Sequence, residues 1–440
     1  MGLARKRLNS EMRILRFKKE KGFLFLVMLV SSFSLFAQDT ILVKKDSVRE
    51  LDVTDLLRDL FNKPAKPEAE SGSKTKLHFA ILPTLSYNPS FGFIFGGKLT
   101  GGKQIGDPAN TDLSVYALEA FYGTKGIVSG QAKHNIFTAE NRWNWQGQWQ
   151  LAKYGLLDYG LGTGNFKTRN GGFSFDQYPI KNADSSFPIS YTYIRLSEKA
   201  YRKIGKYFYV GGGVRLDMYS NIDDIKQTTP YNTPHERYSL RHDFDPTKYS
   251  ANGFILAVQY NTREHPIRSF GGIYADMGLQ FNQKWMGSSK NAIQLQYDFR
   301  KYWSLSKKNP ENVIAFWHWA AYKLSGVLPY LEMPSTASDP YGRSGRGYTF
   351  SRFKGPAYAC FETEWRFPIT NNKLISGVCF FNLQTASDDF NKKVFESWEP
   401  GGGVGLRILF QKLNRTTMCI DFARGRYGAS GLFFGLGEAF

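Results

Sequence analysis

Six histidines and three cysteines are the first places to look for chemistry in this 440-residue chain. His235 and His242 share a stretch with Asp243 and Asp245, which together offer donor atoms for a metal ion. No His-x-x-x-His or Cys-x-x-Cys pair supports that reading, and a solvated loop explains the four residues as well. His318 lies within Phe316-Trp-His-Trp-Ala320 and reads as a lumen-wall or interface residue, while His265 precedes Pro266 in a turn. A nucleophilic triad needs a histidine placed between a hydroxyl and a carboxylate, and none of the six stands in such a setting. Neither an enzyme nor a metal or other cofactor is expected. Cys360, Cys379 and Cys419 lie far apart and are odd in number, which argues against a disulfide framework. The more productive residues are charged. Gly342-Arg-Ser-Gly-Arg-Gly-Tyr348 presents an arginine, Arg346, whose rigid planar fork suits a carboxylate across an enclosed space. Gly347 permits a tight reversal, and Tyr348 adds a large contact with a polar tip. The bland alternative makes Arg346 one of three solvated loop arginines, with Arg343 and Arg352.

The elements that must carry these residues are strands. From Leu77 onward the chain alternates with period two. In Arg142–Tyr154, Trp143, Trp145, Trp149 and Leu151 share one face, and Asn144, Gln146, Gln148 and Gln150 share the other. Asn291–Arg300 and Gly271–Phe281 repeat the pattern. A dry sandwich core would leave so many amides and charges unsatisfied, whereas a barrel lumen accommodates them. Sixteen strands are expected: 77–87, 91–102, 111–123, 126–138, 142–155, 189–201, 205–219, 250–261, 271–284, 290–301, 312–324, 356–367, 374–385, 401–411, 414–424 and 431–440. The longest connections, 156–188, 220–249 and 325–355, all follow odd-numbered strands, and several connections after even strands are short. This is the asymmetry of an outer-membrane barrel, with long external loops and short periplasmic turns. The expected fold is therefore an all-β, 16-stranded antiparallel transmembrane β-barrel.

Both ends of the chain fit that setting. Leu432, Phe434, Leu436 and Phe440 are expected on one face of the last strand, closing on an aromatic residue as outer-membrane barrels do. Residues 1–37 read as a secretory signal peptide, with a basic start and an apolar run from Gly22 to Phe36 that is too short to span a bilayer. Residues 38–76 read as a short periplasmic segment, with an amphipathic helix within Asp46–Phe61 and a linker from Lys63 to Thr75. Mean hydropathy is −0.38 and aromatic residues make up 16%. Both suit a wall in which only alternate residues meet lipid. The formal charge of +19 points to basic loops facing lipopolysaccharide or phospholipid head groups in an exported chain, rather than to nucleic acid.

The ordered set of motifs resembles the BamA/TamA family of outer-membrane barrels, the bacterial surface antigen superfamily. Arg346-Gly347-Tyr348 matches the family's loop tripeptide. Glu364 and Arg366 match the Glu-x-Arg of the next strand, where parity points them inward with Glu362. Gln259–Glu264 with Pro266 and Gly271-Gly272 resembles a periplasmic turn of the family. Gly401–Arg407 resembles its Gly-x-Gly-x-Arg strand, and Asp421 falls where an inward aspartate follows. The resemblance implies that the loop folds back into the lumen as a latch. Phe380-Phe-Asn-Leu-Gln384 departs from the family's wall motif: Asn382 replaces an aspartate and can supply no charge, leaving Glu364 as the expected ionic anchor of Arg346. Residues 38–76 are too few for the periplasmic domains with which family members receive clients, so a barrel-only member is expected.

The resemblance implies a role in outer-membrane protein assembly, insertion or export. Client outer-membrane proteins or other envelope proteins would be its partners. The rival reading is a pore or a structural barrel, alone or as a subunit of a larger envelope complex, with no insertase activity.

Overall fold

The computed structural model describes residues 49–61, 78–88, 90–164, 186–224, 233–389, 393–412 and 415–440. The expected leader and the Lys63–Thr75 linker lie outside them. Sixteen strands follow one another: β1 (His78–Asn88), β2 (Gly92–Lys103), β3 (Ser114–Gly123), β4 (Ile127–Phe137), β5 (Trp143–Asp158), β6 (Phe187–Lys203), β7 (Phe208–Asp224) and β8 (Tyr249–Asn261). They continue as β9 (Gly272–Asn282), β10 (Ala292–Ser304), β11 (Val313–Gly326), β12 (Ala357–Pro368), β13 (Ile375–Ala386), β14 (Glu399–Gln411), β15 (Thr416–Gly425) and β16 (Ser430–Leu436). Each pairs antiparallel with its sequence neighbours in one sheet running from β1 to β16. β1 and β16 lie side by side, but no strand ladder is formed between them among the described residues. The sheet is thus a nearly closed barrel.

Alternation fixes what each face does. Along β12 and its neighbours, Phe316↔Thr363↔Phe381 and Ile314↔Trp365↔Cys379 form outward rows, and the residues between them point inward. Trp143, Trp145, Trp149 and Leu151 are exposed on the outside, whereas Asn144 is fully buried inside. His318 belongs to an outward row between Phe299 and Phe361, stacked on the Phe361 ring.

β5, β6 and β7 extend beyond the expected boundaries, reaching Asp158, Phe187 and Asp224. β16 falls short of its expected end. Gly437 adopts φ +85°, a left-handed conformation that glycine reaches without a Cβ penalty. The chain therefore leaves the sheet after Leu436. Leu432 and Phe434 are exposed on the outer face as expected, but Phe440 does not join them: it is buried. The alternating pattern continues to the last residue, yet it cannot register a single backbone reversal.

Two helices sit at opposite mouths. α1 (Val53–Leu60) falls within the expected amphipathic stretch and is capped by Asp52, whose side chain accepts from Asp55 N at 2.8 Å. It rests on the short turns at the β12–β13 and β14–β15 connections: Leu51 N bonds Asn372 O (3.1 Å), and Lys412 reaches Asp52 and Asp55. α2 (Pro234–Arg241) lies in the long connection after β7, where Tyr238 donates to Leu328 O at 2.9 Å.

Candidate functional site: an ion network inside the barrel

The connection between β11 and β12, residues 327–356, turns back into the lumen instead of standing clear of it. Arg346 is 6% exposed. Its Nε donates to Glu362 Oε1 at 3.0 Å and its Nη1 to Asp421 Oδ2 at 2.8 Å, while Nη2 bonds both Glu362 and Glu364. The guanidinium lies over the Phe380 ring, 3.5 Å from its centroid. Glu362 and Glu364 are inward neighbours on β12, and Asp421 comes from β15, so one side chain ties together two separated strands. Glu364 shares the arginine with two further carboxylates.

The neighbouring residues hold the loop backbone rather than the charge. Asn382 does not meet the guanidinium: its Nδ2 donates to the Arg346 carbonyl at 2.8 Å. Tyr348 donates to Pro400 O (2.6 Å) and accepts from Arg426 N (2.9 Å). Gly347 has φ +105°, and a Cβ there would lie 2.8 Å from Arg424 O. The facing wall is glycine where the loop presses on it. A Cβ on Gly401 would stand 2.8 Å from Arg346 O, and one on Gly425 would enter the Tyr348 ring.

Arg346 is one member of a longer chain of ion pairs. Arg366 donates to Glu364 (2.7 Å) and to the Phe440 backbone oxygen (2.9 Å). Arg407 joins Asp421 to Glu438, the latter at 2.8 Å. Arg268, brought in from the turn after β8, pairs with Glu438 (3.1 Å) and Glu311 (3.2 Å). Glu311 is also 3.7 Å from Lys373. Four buried arginines, Arg268, Arg346, Arg366 and Arg407, with Lys373 shared between Glu311 and the outlying Glu50 (3.8 Å), thus interleave with five carboxylates, Glu311, Glu362, Glu364, Asp421 and Glu438. Such balance is what makes burial of so many charges tolerable, because each unpaired charge would carry its own desolvation penalty.

The inward turn at Gly437 feeds this network. Glu438 is 9% exposed, and the Phe440 ring stacks on Trp317 with centroids 5.1 Å apart. Arg343 donates to the carbonyls of Leu436 (2.8 Å), Gly437 (2.9 Å) and Glu438. Arg343 is therefore not a solvated loop arginine; it holds the end of the chain. Arg352 is likewise buried, its guanidinium 4.3 Å from the Tyr159 ring centroid.

A second set of contacts fixes the loop to the opposite wall. Glu332 accepts from Arg215 (2.9 Å) and Tyr219 (2.7 Å). Tyr330 donates to Asp158 at 2.8 Å, and Lys354 reaches the same carboxylate at 3.1 Å. Around them Tyr154, Tyr191, Tyr193, Tyr219 and Tyr249 form a buried aromatic cluster. The loop bridges the lumen from β5–β8 to β12–β15. No local signal in the sequence named the loop as the partner of these tyrosines.

Comparison with known proteins accords with this geometry. Residues 133–440 match the Omp85 superfamily domain. The chain belongs to the Omp85 superfamily. It is accordingly a non-enzymatic barrel of the bacterial outer membrane. Among solved structures, BamA from Haemophilus ducreyi lacking POTRA domains 1–3 shares the fold, with a TM-score of 0.51 at 12% identity over 82% of this chain and 70% of that one. CdiB from Acinetobacter baumannii (TM-score 0.44, 10% identity) and CdiB from Escherichia coli (0.47, 8%) each align over 82% of this chain and 65% and 62% of theirs. No curated protein matches.

Proposed function

We propose that this Omp85 barrel assists the assembly or export of outer-membrane proteins, with residues 327–356 as an internal latch. The observation that carries the reading is the edge between β1 and β16. β16 is seven residues long against eleven for β1, no ladder joins them, and the residues that would lengthen β16 are held inside the lumen. An edge with unpaired N–H and C=O groups can take on another strand by β-augmentation. The latch supports the wall beside that edge: Arg346 bonds β12 to β15, and Arg343 holds the departing end of β16. Lateral access can then be gained without dismantling the remaining fifteen ladders.

An open pore agrees less well with a loop bonded to both walls of the lumen. A structural barrel remains the rival that experiment should separate. Cysteines placed at outward positions of β1 (Leu85, Tyr87) and β16 (Leu432, Phe434), in a background with Cys360, Cys379 and Cys419 changed to serine, would close the edge on oxidation in whichever pair meets the geometric requirement. Loss of client-barrel assembly on closure, restored by reduction, is the expected result. Full assembly with the edge verifiably cross-linked would remove lateral opening and leave the structural reading.

A further inference from the structure

A cavity of about 300 Å³ opens on the outer surface at the short-turn end of β5 and β6, lined by Glu140, Arg142, Trp143, Arg202 and Lys203. We propose that it binds the phosphate of a phospholipid in the inner leaflet of the outer membrane. Three cations line it. Arg142 is forked onto Glu140 (3.0 and 3.1 Å) and Lys203 donates to the Glu140 carbonyl (3.1 Å). Arg202 lies over the Trp143 ring, 5.5 Å from its centroid. Among the described residues, neither Arg202 nor Lys203 forms an ion pair with a carboxylate. Three cations thus face the one lining carboxylate, Glu140, so the cavity keeps a positive balance suited to a phosphate ester anion.

Its position selects a lipid over a soluble phosphate. Trp143 and Trp145 are exposed on the same outer face, with ring centroids 6.3 Å apart, and mark the interfacial aromatic belt. Deeper in the membrane, beyond the His134–Gly147–Glu198 row, the wall becomes apolar: Ala132, Trp149 and Leu196 form one outward row. Between belt and row the outer face is lined by the small residues Ala200 and Gly212, while the side chains of His134 and Glu198 cover Gly147. Glu198 limits how deep the anion can go. It faces outward from β6 beside Gly147, bonded to Trp149 Nε1 (2.6 Å) and His134 Nε2 (3.1 Å). A carboxylate four residues above Arg202 on the same face repels a phosphate that moves inward and keeps it at the belt.

The test is native mass spectrometry on the full detergent-solubilised chain, titrated separately with phosphatidylglycerol, diacylglycerol and inorganic phosphate. One phosphatidylglycerol per barrel is expected, with diacylglycerol and inorganic phosphate each much weaker. Arg202→Gln with Lys203→Gln should weaken phosphatidylglycerol roughly 10–30-fold. Lys307→Gln with Lys308→Gln, an equal charge change on another short turn, should leave it unaltered. Unboiled gel mobility identifies any variant that has not folded. Equal losses in the two double variants would mean diffuse charge attraction and overturn the site. Inorganic phosphate binding as tightly as the lipid would overturn the lipid assignment, and diacylglycerol binding equally well would overturn the phosphate assignment.

Discussion

The two walls that hold the internal loop are built from different materials. At β12–β15 the loop is held by Arg346 among three carboxylates, in a fully buried network that includes the end of the chain. At β5–β8 it is held by a tyrosine cluster together with two ion pairs, Arg215–Glu332 and Lys354–Asp158. A buried ion pair fails abruptly, because loss of one partner strands the other; an aromatic cluster loses stability contact by contact. The brittle attachment stands beside the unpaired β1–β16 edge, and the graded one stands away from it. A stimulus that breaks a single guanidinium contact can therefore free the edge side while the far side still holds the loop.

Substitutions can break this contrast. Arg346→Ala should be the most damaging, leaving Glu362 without a cation while Glu364 keeps Arg366 and Asp421 keeps Arg407, at a cost of roughly 3–5 kcal/mol. It should lower the unfolding midpoint and expose residues 327–356 to protease. Glu332→Gln on the other wall leaves Arg215 paired with Asp217 at 2.5 Å and should cost about 1–2 kcal/mol. Equal effects would erase the distinction between the walls.

Acid should act on the ionic side through His265. His265 lies in the turn that delivers Arg268, and its Nδ1 accepts from Ile267 N and Arg268 N at 3.2 Å each. Burial, with Arg415 and Arg263 nearby, pushes its pKa down to about 4. The folded state thus favours the neutral ring. Stability contributed by that preference is full above the unfolded pKa of about 6.5 and is lost as pH falls from there towards 4. At pH 5 the loss should be roughly 2 kcal/mol relative to pH 7.5, read as a lower unfolding midpoint. His265→Asn should flatten that dependence; an unchanged slope would remove His265 as its source.

Smaller effects sharpen the picture. Arg343→Ala should cost about 1–2 kcal/mol and free the carbonyls of 436–438, so that hydrogen exchange accelerates at the end of the chain while the 327–356 loop stays protected. Loop exposure equal to that of Arg346→Ala would merge the two arginines into one function. Tyr330→Phe removes a single bond to Asp158, which retains Lys354, and should cost only about 1 kcal/mol.

Much of the architecture was legible because period two is a strong signal. It placed sixteen strands, the outward tryptophans of β5 and the inward Glu362, Glu364 and Arg366. Arg346 stood out through the order of the motifs around it. What escaped depends on features that alternation cannot carry. The reversal at Gly437 is one backbone angle, and it moves Phe440 from the expected outer face to a place against Trp317. Arg343 and Arg352 looked like solvent-facing neighbours of Arg346 because loop residues have no parity to assign them. Asn382 stood out as an amide in place of the wall aspartate, but an amide has both a donor and an acceptor, and only the fold determines which one is used and on what.

Gly401 and Gly425 give the loop its space by the absence of side chains, and this has a consequence for heredity. The wall is a cast of the loop in negative relief: one methyl group at Gly425 would enter the volume that the Tyr348 ring occupies. Loop and wall therefore cannot drift separately. A graft of residues 342–355 from a related barrel should seat only when β14 and β15 travel with it, so that the unit of inheritance is the loop together with its mould.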